Sequence, residues 1–78
     1  MSIGGITAVH WKTFEQFIIF VGCKFVREKG DHRIYWRDGL TRPIVIPRDD
    51  QLPIFIIRNN LRLLGISPKE YADILQQL

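Results

Sequence analysis

The chain has 78 residues, 46% of them hydrophobic and 24% charged, and eleven Lys and Arg against eight Asp and Glu give a net charge of +3. That composition excludes a disordered polymer, and the length allows one domain whose thin core buries roughly 60 to 65% of the unfolded surface. The longest apolar run, Phe17 to Val21, is far short of the ~20 residues a membrane-spanning helix needs, so no membrane partner is expected.

The opening segment "MSIGGITAV" lacks the charged start and apolar stretch of a signal peptide, and residues 1–10 are read as a flexible leader to a single domain over 11–78. From Trp11 to Val21, Phe14, Phe17, Ile18 and Val21 fall at i, i+3, i+4 and i+7, one face of a helix, and Gly22 suits its stop. Cys23 is the only cysteine. It cannot form an internal disulfide, which fits a reducing cytosol, and its apolar neighbourhood marks it as a core residue rather than a nucleophile. "KFVRE" at 24–28, the turn "KGD" and the extended "HRIYWR" read as a hairpin. Asp38-Gly39 signals a second turn, and "TRPIVIP" follows as a third strand whose prolines, Pro43 and Pro47, place it at a sheet edge.

In "LPIFIIRNNLRLLG" propensity favours a strand over Ile54 to Ile57, but Ile54, Ile57, Leu61 and Leu64 repeat at helical spacing. Pro53 suits a first turn and Gly65 a stop. Phe55 and Ile56 fall off that stripe. Ser67-Pro68-Lys69-Glu70 is a capping box with proline at the first helical position, and it opens a last helix with Tyr71, Ile74, Leu75 and Leu78 as its buried stripe. The expected class is α+β, a three-stranded antiparallel sheet with the helices packed on one face. The other face is left for solvent or a ligand.

On the second strand, alternation puts Arg33, Tyr35 and Arg37 on one side and Ile34 and Trp36 on the other. With the apolar pair in the core, Arg-Tyr-Arg would occupy the open face, where cations neutralise phosphates and a ring stacks on bases. An ordinary solvated strand face accounts for the same pattern. His32 follows Gly30, which suits a tight turn, with Arg27, Lys29 and Arg33 close by. Strict parity would send His32 with Ile34 toward the helices, a rule that is loose at a strand end. Cleavage of RNA without a metal needs a base that titrates near neutrality for the ribose 2′-OH, and cations for the charge developing on phosphorus. A surface histidine in a turn is the plainer alternative.

"GCKFVREKGDHRIYWRDGLTRPIVIP" followed by "IIRNNLRLLGISPKEYADIL" resembles the HicA (YcfA-like) family, mRNA interferases of type II toxin–antitoxin systems. The anchors are Gly22, the Lys29-Gly30-x-His32 turn, the "VIP" ending the third strand and "LRLLGIS" before the last helix, over roughly residues 11 to 78. The resemblance implies a double-stranded-RNA-binding-domain-like α-β-β-β-α fold, with His32 as catalytic residue. It further implies metal-independent cleavage of mRNA, translation arrest, and a HicB antitoxin that covers the active site. Two departures stand out. Asp31 occupies the place of the family's usual Ser, putting a carboxylate where it repels an incoming phosphate. "LPIFII" replaces a Lys-Gly-Thr at the start of the second helix, which either alters RNA or partner contacts through the loss of a basic residue and a glycine or enlarges an apolar patch around Phe55 and Ile56.

The leading expectation is therefore a cytoplasmic endoribonuclease with His32 as general base or acid, Arg27, Lys29, Arg33 and Tyr35 as RNA contacts, Gly30 and Asp31 as the supporting turn, and no cofactor or metal. Lys24, Arg37, Arg48 and Arg58 are candidate backbone contacts. Trp36 is expected to pack, and His10 lies outside the recognisable region. A non-catalytic RNA-binding or partner-binding module is the alternative. A third is a basic charge that serves only solubility, with exposed apolar residues serving homo-oligomerisation.

Overall fold

The computed structural model describes residues 6–78, so the expectation for residues 1–5 lies outside the described residues. The order is α1 (Trp11–Phe20), β1 (Lys24–Lys29), β2 (His32–Trp36), β3 (Ile44–Pro47), α2 (Ile54–Leu64) and α3 (Pro68–Leu75). The three strands form one antiparallel sheet in the order β1-β2-β3. This is the expected α+β class, and α3 extends the α-β-β-β-α order by one helix. No helix among the described residues is long and apolar enough to cross a membrane.

Each helix end follows from its local sequence. α1 is capped by His10, whose Nδ1 accepts from the Lys12 amide at 3.1 Å, satisfying one of the orphan donors of the first turn. At its other end Gly22, at φ 104°, lets the chain reverse so that Cys23 N bonds Ile18 O at 2.9 Å and Gly22 N bonds Ile19 O at 3.0 Å, the paired closure of a Schellman motif. α2 ends on the same pair of bonds, Ile66 N to Leu61 O and Gly65 N to Arg62 O. The capping box of α3 forms in both directions, between Ser67 and Glu70. Those bonds to Ser67 hold the Glu70 carboxyl below its ordinary value.

The core lies between the helices and one sheet face. Phe14, Phe17 and Ile18 of α1 meet Ile57, Leu61 and Leu64 of α2, Tyr71 of α3, and Tyr35, Ile44 and Ile46 of the sheet. Tyr71 packs edge-on against Phe17, with ring centroids 4.7 Å apart, and against Phe14 at 5.8 Å. Burying each of these side chains contributes about 1.5 to 3 kcal/mol. Cys23 is buried as expected, and desolvation raises its thiol pKa against the opposing pull of Arg37.

Several expectations are corrected at the element ends. Ile54 is exposed and Ile56 packs against the core. Asn60 also belongs to the buried stripe: its amide nitrogen donates to Val45 O at 3.3 Å, bracing β3. Leu78 lies beyond the end of α3 and is exposed. Residues 6–10, expected as part of a leader, make contacts with the domain. Ile6 is buried in the core, Val9 O accepts from Leu52 N at 2.7 Å, and Asp49 O accepts from Trp11 N at 3.1 Å.

The largest correction concerns the two faces of β2. Tyr35 is fully buried, whereas Trp36 is 39% exposed. Arg33, Tyr35 and Arg37 point toward the helices, leaving Ile34 and Trp36 on the open face. Alternation was the right rule, but apolarity did not decide which side faced inward. The helix layer supplies polar partners that allow long amphipathic side chains to be buried. Arg37 donates to Val21 O at 3.0 Å and Leu64 O at 3.1 Å, closing orphan carbonyls at the C-termini of both α1 and α2. Arg33 and Tyr35 meet Glu15 of α1.

Candidate nucleic-acid interface

The strand register fixes which residues share the open face. Across β1 and β2, Lys24 lies opposite Trp36, Arg27 opposite Ile34, and Lys29 opposite His32. Across β2 and β3, Ile34 lies opposite Val45 and His32 opposite Pro47. Directly opposed residues project to the same side, so the open face carries Lys24, Arg27, Lys29, His32, Ile34, Trp36, Val45 and Pro47. An irregularity between Phe25 and Arg27 shifts the β1 register, as a bulge does. Through it Arg27 and Lys29 join Lys24 on one side, while Phe25 and Glu28 stay with Tyr35 and Arg33 on the other. Among these open-face strand positions every charge is positive.

His32 begins β2 directly after the Gly30-Asp31 turn, where Gly30 has φ 62°, a left-handed geometry that costs other residues about 1 to 2 kcal/mol. Asp31 O accepts from Arg48 N at 2.9 Å, tying the turn to the chain after β3. The Asp31 carboxylate lies 2.9 Å from His32 Nδ1. That contact orients the ring and leaves Nε2 as the atom available to a ligand. The His32 side chain is half-exposed, within reach of Lys29 across the pair and Arg27 on the diagonal.

Arg33 and Tyr35 leave this face entirely. Arg33 Nε and Nη2 donate to Glu15 Oε2 at 3.2 and 3.1 Å, and Nη1 donates to Glu28 Oε1 at 2.8 Å. The Tyr35 hydroxyl donates to the same Glu15 oxygen and accepts from Arg33 Nε at 2.9 Å. The guanidinium also lies 4.1 Å from the centroid of the Phe25 ring. Bonds to Tyr35, Glu28 and Glu15 push the Arg33 pKa above its already high value, while burial, then the bond to Glu15, pushes Tyr35 up to about 12. A charged Arg33 therefore sits beside a neutral phenol, both turned toward Glu15 of α1 and away from the open face. Arg33 and Tyr35, expected as RNA contacts, thus lie on the helix side of β2, and Arg37, held by two helix ends, does likewise.

Other candidates sit at the margins. Arg48 pairs with Glu28 at 3.4 Å and, with His10, Trp11, Lys12 and Asp31, lines a shallow cleft behind the turn. Arg58 lines a separate groove with Ile6, Leu61, Arg62, Ile66 and Pro68. Of the two open-face residues that sequence reasoning placed wrongly, Ile34 and Trp36, the larger is Trp36. The signal that could have found it is Glu15, whose side of α1 also carries the core residues Phe14 and Ile18 and so calls for a cation from the sheet.

A small α+β domain with a turn histidine beside paired cations on a bare sheet face is thus the class that fold and site define. The model of the family described as "HicA toxin of bacterial toxin-antitoxin" matches residues 11–66, and the chain belongs to that family. It is a HicA toxin of a toxin–antitoxin system. No curated protein and no solved structure matches it.

Proposed function

We propose that this chain is a metal-independent endoribonuclease that cuts mRNA and arrests translation, held inactive by a HicB-type antitoxin that covers the open sheet face. The observation that carries this reading is the pairing of His32 with Lys29 across β1 and β2, with Arg27 on the same face. In the reaction, His32 Nε2 takes the proton of a ribose 2′-OH, the 2′-oxygen bonds to the adjacent phosphorus, and the bond from phosphorus to the 5′-oxygen breaks. The leaving oxygen takes a proton from water, giving a 2′,3′-cyclic phosphate and a 5′-hydroxyl end. Lys29 and Arg27 stabilise the charge that grows on the phosphoryl oxygens, and Asp31 fixes the imidazole through Nδ1. An mRNA substrate and a single buried thiol fit a cytoplasmic site of action.

The test is cleavage of an mRNA in the presence of chelator. The parent chain is expected to cut, and His32→Ala to lose roughly 100-fold or more of the rate while still binding RNA. Binding by both proteins with cleavage by neither would replace the enzyme with a non-catalytic RNA-binding module.

A further inference from the structure

We propose that Trp36 and Lys24 form a base-stacking subsite that restricts the toxin to single-stranded RNA, at the far end of the open face from His32. The inference deepens the nuclease reading and rests on it for the identity of the ligand. Its basis is the contrast between the two tryptophans. Trp11 stacks on His10 and lies under the cations of Lys12 and Arg33, at 5.7 and 5.3 Å from its centroid. Trp36, 39% exposed on the sheet, pairs with no ring and no cation among the described residues.

Its surroundings fit a nucleotide. Lys24 lies directly across the strand pair, and beside the indole runs a shallow groove lined by Gly22, Lys24, Arg37 and Asp38. Trp36 stands four residues from His32 along β2, or ~13 Å at the usual rise of a strand. A base stacked on the indole therefore lies a few nucleotides from a phosphate at His32, with Arg27 and Lys29 along the path for the backbone. Ile34 and Val45, between the two ends, offer no hydrogen bonds to base edges, so the face takes bases by stacking rather than by reading them. A base within a duplex already has both faces covered by its neighbours. Only an unpaired strand can place one on Trp36.

The probe is a 2′-O-methyl RNA oligonucleotide, which lacks the hydroxyl needed for cleavage, used single-stranded and as a duplex with its complement. Binding is read by anisotropy of a labelled strand. Trp36→Ala is expected to weaken single-strand affinity roughly tenfold, with Trp36→Phe retaining most of it, since a stacked base is worth about 1 to 3 kcal/mol. Duplex affinity is expected to be weaker and the same for all three proteins. Equal single-strand affinity for the parent and Trp36→Ala, or preference for the duplex, would overturn the subsite and leave the nuclease reading standing. Trp36-dependent binding by a protein that cuts no natural RNA would do the reverse.

Discussion

Glu15 of α1 and Arg33 of β2 are joined by two hydrogen bonds to a single carboxylate oxygen, at 3.2 and 3.1 Å, and each side chain is 21% exposed. This contact locks the first helix to the central strand and sets which face of β2 turns inward. Removing one partner of a mostly buried pair leaves the other charge without compensation. Glu15→Ala is therefore expected to cost about 2 kcal/mol, lowering the thermal midpoint by about 8 to 16 °C in a domain of this size. Glu15→Gln, which keeps an acceptor for Arg33, should cost less. Thermal melts of the two variants provide the check.

Tyr71 carries the opposite kind of defect. It is fully buried, and among the described residues no side-chain or backbone partner reaches its hydroxyl. A buried group left unsatisfied costs about 1 to 3 kcal/mol, so Tyr71→Phe is expected to stabilise the domain by about 1 kcal/mol. A loss of stability in urea unfolding would show that the hydroxyl is satisfied after all.

The buried phenols also set the alkaline limit. Tyr35 and Tyr71 are both pushed up to about 12, in each case chiefly by burial, from an unfolded value near 10. Because the folded state holds these protons more tightly, their contribution is intact below about pH 10 and is lost as pH rises toward 12. Urea midpoints measured from pH 9 to 11.5 should fall, and the fall should be shallower in Tyr71→Phe.

Lys29 and Tyr35 separate binding from folding. Lys29→Ala is expected to weaken RNA binding across sequences and to reduce the slope of log affinity against log salt by about 1. Tyr35→Phe removes the bond to Glu15 and should cost about 1 kcal/mol of stability with RNA affinity unchanged. An affinity loss in folded Tyr35→Phe would contradict the inward placement of that ring.

The two turn glycines also differ in a measurable way. A Cβ at Gly22 would meet Arg37 Cδ at 3.3 Å, whereas at Gly30 nothing lies within 4 Å. Both glycines have positive φ, so either Ala variant loses about 1 to 2 kcal/mol to strain. Gly22→Ala should lose more, since it also displaces the side chain that closes two helix ends. Comparing the thermal midpoints decides it.

Much of this was legible in the residues. The capping box at Ser67, Gly22 and Gly65 at the helix stops, and the helical spacing of Ile57, Leu61 and Leu64 each carry their geometry locally. His32 is readable as the start of a strand after a glycine turn. What the strand alone could not decide is which side of β2 faces inward, because that depends on Glu15, eighteen residues away from Arg33. Taken without its carboxylate, an Arg-Tyr-Arg strand looks like a surface for RNA. The bulge after Phe25 was equally hidden, and it alone brings Arg27 and Lys29 onto the side of His32.

The amide that Asn60 donates to Val45 O has a consequence for how these molecules meet one another. β3 is an outer strand whose last residue, Pro47, has no amide hydrogen, and Asn60 already occupies one of its carbonyls. An incoming strand finds few free groups there. Continuous stacking of sheets into a fibre requires two receptive borders on every molecule, and among the described residues this one offers only β1. Strand addition, where it occurs, is therefore expected to end with two copies joined through β1.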